Sequence, residues 1–149
     1  MTQQHWLLLL THAFATLFMT GLIWVIQIVH YPLMARVGAD VFIAYEQEHM
    51  NRITLVVGPA MLVELVTAAL LLLWTPPGLP RWMALAGVAM VLVLWLSTAL
   101  VQGPMHVRLA RGYDAELIGR LVATNWLRTI VWTARGVLSL GMIYALVRR

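Results

Sequence analysis

The residues of this chain best equipped for chemistry are three histidines, His30, His49 and His106, with Glu46 placed three residues before His49. Imidazole changes charge near neutral pH, so it serves as a general base, and its ring nitrogens bind borderline transition metals. Glu46 and His49 form a Glu-x-x-His spacing, which puts both side chains on one face of a helix, as in metal sites built inside helical bundles. His30, Glu46, His49 and His106 are therefore the candidate metal ligands, an adequate set for Zn, Fe, Cu or Mn. Haem held by two of the histidines is a variant, although the chain has no c-type attachment motif. The di-iron bundle pattern needs Glu-x-x-His twice and the chain has it once. Histidine, tyrosine and glutamate bonded to interfacial water are the competing reading.

The elements that position these residues follow from composition. Of 149 residues, 62% are hydrophobic and 11% charged, and the mean hydropathy is +0.84. A soluble domain carries roughly a quarter of its residues as charges, so the solvent implied here is lipid. The chain has no cysteine, which excludes disulfides, thiolate ligands and a cysteine nucleophile. Ten arginines against six acidic residues give +4, too few and too scattered for a nucleic-acid footprint. Serine-hydrolase motifs, a glycine-rich phosphate loop and a zinc-protease helix are missing, and no two methionines share a helix face at three- or four-residue spacing.

Four apolar stretches reach the length of about 20 residues that a bilayer crossing needs: 6–29, 53–74, 82–101 and 126–147. The fold class expected is all-α, an integral membrane, antiparallel four-helix bundle forming one domain. Residues 75–81 make a tight Pro/Gly turn, whereas 30–52 and 102–125 are long connections on the same side, with amphipathic helices expected at about 40–52 and 105–122. Asp114 is a helix N-cap, and Tyr31-Pro32 and Gly103-Pro104 read as backbone breaks that bend the chain beside a pocket. The first stretch is too long for a cleaved signal peptide and lacks its basic start and small-residue cleavage site. Trp6, Trp74, Trp82 and Trp126 sit at span ends as interfacial anchors. Arg36, Arg52, Arg108, Arg111 and Arg120 lie on the side of the long connections, against Arg81, Arg148 and Arg149 opposite. That balance puts the long connections in the cytoplasm of a multi-pass protein, with a bacterial inner membrane the expected location. The partners expected are the bilayer and a hydrophobic small molecule, with a homo-oligomer also allowed and nucleic acid excluded.

Each span carries one polar stripe: His12, Thr16, Thr20, Gln27 and Tyr31 in the first; His49, Glu64 and Thr67 in the second; Thr98, Gln102 and His106 in the third; Asn125, Arg128, Trp132, Arg135 and Ser139 in the fourth. Polar stripes in lipid turn toward one another, so the bundle interior should be polar. A charge at mid-membrane costs about 2.5–3.5 kcal/mol on insertion scales, and Glu64 and Arg135 are expected to meet as an ion pair, with Arg128 a second cation. Gln27, Tyr31, Gln102, Glu64 and Arg135 are the candidate substrate-binding residues. Helix-to-helix adhesion through the same groups is the competing structural role.

Gly21 with Tyr31-Pro32, Pro59, Pro104-Met105-His106 and Asn125-Trp126-Leu127-Arg128-Thr129 together resemble a family of small four-span membrane proteins that includes the anthrone oxygenases. Members of that family carry Asn where this chain has His106. The resemblance implies an oxygenase-like activity on membrane-soluble aromatic, phenolic or quinone-type molecules. It makes His106 a base and places Asn125 and Arg128 against the oxygenated group of the substrate, so these three are the candidate catalytic residues. The function expected is thus an oxidoreductase, with or without a transition metal such as Fe, Cu or Zn. A small transporter or channel, or an accessory membrane subunit without enzymatic activity, is the alternative.

Overall fold

In the computed structural model, which describes residues 2–148, four helices carry the whole architecture: α1 Gln3–Met34, α2 Phe42–Leu73, α3 Arg81–Leu109 and α4 Ala115–Val147. Met1 and Arg149, the latter one of the three arginines on the terminal side, lie outside the described residues. All four helices are long and apolar enough to cross a membrane, and they run antiparallel as a bundle. Side chains such as Phe14, Leu55, Leu100 and Val137 point outward and stay exposed, as lipid contact requires.

The helices stand at the corners of a square. α1 packs on α2 and α4, and α3 packs on the same two, so α1 and α3 face each other diagonally, as do α2 and α4. Short links enforce this order: residues 35–41 join α1 to α2, 74–80 join α2 to α3, and 110–114 join α3 to α4. The connections expected to be long, 30–52 and 102–125, shrink to the first and last of these because the transmembrane helices continue through them. Asp114 caps α4 by accepting a hydrogen bond from the Leu117 amide at 2.9 Å, as its position in the sequence predicts. Thr2 and His5 form a reciprocal capping box at the start of α1.

Tyr31-Pro32 and Gly103-Pro104 do not break their helices, contrary to the expectation from sequence. Each follows a π-helical turn, Ile26–His30 in α1 and Thr98–Gln102 in α3, and the helix then continues for one or two further turns. The reason is local. Pro32 and Pro104 have no amide hydrogen to donate, and the wide turn before each lets the preceding amide reach back five residues, Tyr31 to Ile26 and Gly103 to Thr98. At Gly103 a Cβ would stand 3.0 Å from the Thr98 carbonyl oxygen, so this turn is built around glycine. The turns matter because they carry Gln27, Tyr31 and Gln102 into the interior, where all three are buried.

The seam between α1 and α4 is close. The Thr20 hydroxyl donates to the Trp132 carbonyl at 2.9 Å, and a Cβ added at Gly136 would meet Thr20 Oγ1 at 3.1 Å. Gly136→Leu is expected to force this seam apart and cost about 1–3 kcal/mol, read as a lowered unfolding midpoint in detergent micelles.

Candidate functional site

Two polar centres lie inside the bundle, and each crosses one of its diagonals. The deeper one joins α2 to α4. Glu64 accepts from Trp132 Nε1 at 2.9 Å and from Arg135 Nε at 3.3 Å, while Arg135 Nη1 donates to the Gly87 carbonyl on α3. Glu64 and Arg135 therefore meet, both almost wholly buried. Arg128 is not part of this group. Next to it, His12 Nδ1 bonds the Thr67 hydroxyl at 2.8 Å, which ties α1 to α2. His5 lies against Trp74 at the far end of the bundle, the two rings tilted by 52° with centroids 4.7 Å apart.

The second centre joins α1 to α3 at the end nearer the 35–41 and 110–114 links. Glu46 on α2 is fully buried, and its Oε1 lies 2.5 Å from His106 Nδ1. On the other side of the same ring, His106 Nε2 lies 2.9 Å from the Tyr31 hydroxyl. A carboxylate can only accept, so Nδ1 carries a hydrogen toward Glu46, and in the neutral ring Nε2 then presents a lone pair to the Tyr31 O–H. The result is a carboxylate–imidazole–phenol chain in which Glu46 fixes the tautomer and orientation of His106. His30 and His49 form a separate pair beside it, Nε2 to Nδ1 at 3.1 Å, with Tyr45 stacked near both rings.

The four expected metal ligands are thus brought to one end of the bundle but divided two and two. His106 has both ring nitrogens engaged, and among the described residues no group of three or more His, Asp or Glu side chains is arranged to hold a metal ion. The physical reason is burial: Glu46, excluded from solvent, satisfies one oxygen on the nearest N–H donor.

A cavity of about 820 Å³ opens between α2 and α3, walled by Val57, Gly58 and Met61 on one side and Trp95, Thr98 and Ala99 on the other. Its lining is mainly apolar, and the polar groups that reach it include Tyr31, Gln102, His106 and Arg128. Gln27 and Asn125, expected to touch substrate, do not line it; they hold Arg128 in place instead. Gln27 Nε2 donates to the Val122 carbonyl, its Oε1 accepts from Asn125 Nδ2 at 2.9 Å, and Asn125 Oδ1 accepts from Arg128 Nη1 at 3.2 Å. The Arg128 guanidinium also lies over the Trp132 ring, 5.1 Å from its centroid. Glu64 and Arg135 lie outside the cavity lining too, paired with each other.

Trp95 and Thr54 are cavity residues that the sequence reading did not single out as such. Trp95 Nε1, Gln102 Nε2 and Arg128 Nε are buried N–H donors without a partner among the described residues. Gln102 has spent only its oxygen, on the Ser97 hydroxyl at 2.9 Å. These donors are enclosed within the bundle, on α3 for Trp95 and Gln102 and on α4 for Arg128. No protein family, curated protein or solved structure matches the chain, so the site is read from its own geometry.

Removing Glu64 leaves Arg135 buried without its carboxylate. Glu64→Ala is expected to cost about 3–5 kcal/mol in chemical unfolding, and the double replacement Glu64→Leu with Arg135→Met to recover most of that loss.

Proposed function

We propose that the protein binds a membrane-soluble, oxygenated aromatic molecule of the phenol or quinone type and removes a proton from it, as the first step of an oxygenase-like oxidation. The observation that carries this reading is the Glu46–His106–Tyr31 chain ending in an apolar cavity beside Arg128. The cavity falls within the range of about 300–1,000 Å³ usual for small-molecule sites. His106 accepts the proton through the Tyr31 hydroxyl, because Glu46 stabilises the imidazolium that forms. Arg128, held by Asn125, stabilises the oxygen anion left on the substrate in a site with few competing dipoles. The deprotonated ring is electron-rich and reacts with dioxygen; an activated methylene then becomes a carbonyl, with one dioxygen consumed and one water released. His106 stands in this reading where the resembling family has Asn, and supplies the base. We place the protein in a bacterial inner membrane with its long connections in the cytoplasm.

Anthrone is the probe, because its acidic methylene and its conversion to a quinone are both followed by absorbance. Protein in nanodiscs is expected to bind it with quenching of tryptophan fluorescence and to speed its oxygen-dependent conversion. His106→Gln should lower the rate about 10²–10⁴-fold, with binding changed far less. Arg128→Met should lower it about 10²–10³-fold. A wild-type rate equal to that of empty nanodiscs refutes the oxidation. Absence of saturable binding refutes the cavity as the substrate site.

A further inference from the structure

His30 and His49 are left over by this chemistry. Their nitrogens, His30 Nε2 and His49 Nδ1, stand 3.1 Å apart, and their ring centroids 4.5 Å apart. Two imidazoles bound to one ion at about 2.0–2.1 Å place their nitrogens about 2.9 Å apart at a right angle and about 3.4 Å apart in a tetrahedral set. The observed separation falls between these values. Neither ring is fully enclosed, so an ion can reach them.

A second observation points to a cation at the same place. Glu46 is completely buried one helical turn before His49, and only its Oε1 is engaged, by His106. Its Oε2 has no partner among the described residues. A buried carboxylate with one bare oxygen, set beside two neighbouring imidazoles, lacks positive charge or a donor. A metal ion and its bound water supply both.

We infer that His30 and His49 form a two-histidine site for a divalent transition-metal ion of the zinc, copper or nickel class. Water completes the coordination, and Glu46 Oε2 serves as counter-charge and acceptor for that water. Imidazole donors select these ions over magnesium and calcium, which take oxygen ligands. His106 is not a ligand, because Glu46 and Tyr31 hold both of its nitrogens. The site thus shares Glu46 with the proton chain but none of its histidines, so the His30 and His49 variants test it without altering His106.

Isothermal titration of the full-length chain, without a histidine tag and in detergent, with zinc chloride is the test. One zinc per chain is expected with Kd below about 100 µM, and no uptake of magnesium. His30→Gln and His49→Gln retain a hydrogen-bonding side chain, and each should weaken zinc binding at least tenfold. His106→Gln and His5→Gln should leave it within about threefold, whereas His106→Gln alone slows anthrone conversion. Saturable zinc binding that survives both glutamine variants overturns the site, as does its absence from the wild type. Electron paramagnetic resonance of the wild type loaded with one Cu²⁺ needs no variant, should either fail to fold. Hyperfine splitting from two imidazole nitrogens is expected, and splitting from none or from one overturns the assignment.

Discussion

Polar atoms inside a membrane bundle must find their partners inside it, and the arrangement of this protein follows from that constraint. The square of helices leaves two diagonals that backbone contact does not bridge. Glu64 with Trp132 and Arg135 spans one, and Tyr31 with His106 spans the other. Each is a long side chain meeting another across the centre. The first is a knot of carboxylate, indole and guanidinium bonded to one another and to the Gly87 carbonyl, with only Arg135 Nη2 left without a hydrogen-bond partner among the described residues. The second ends at the wall of a cavity, and that difference separates a structural contact from a site.

Specificity in the second centre comes from layers of support. Val122 offers a carbonyl to Gln27, Gln27 holds Asn125, and Asn125 holds Arg128. Glu46 does the same for His106 from a different helix. Arg128 and His106 are thus fixed by neighbours that do not line the cavity, which is how a charged group keeps its aim without water around it.

The four spans were legible in the sequence because hydropathy over 20 residues depends on composition, not on contacts. The inward turn of the stripes was legible for the same reason, and so was the meeting of Glu64 with Arg135, since two opposite charges in lipid have few other options. Partner choice was not. Glu46 and His106 are 60 residues apart in the chain, and whether they share a metal or a hydrogen bond is a matter of a few tenths of a nanometre. Pro32 and Pro104 looked like helix ends, since a missing N–H normally stops a helix. The π-helical turns that absorb them depend on local packing and leave no pattern in composition. The cavity was equally invisible, because Val57, Met61, Trp95 and Ala99 look like any lipid-facing residues until the gap between two helices is seen.

The position of that gap has a consequence for supply. It lies between α2 and α3, two helices apolar enough to cross a membrane, and runs from Met61 and Trp95 toward His106 and Arg108. A molecule dissolved in the bilayer arrives by lateral diffusion in two dimensions, at the concentration set by its partitioning into lipid. Under the proposed function, poor solubility in water, a handicap for a guest of a soluble protein, would become the property that fills this pocket.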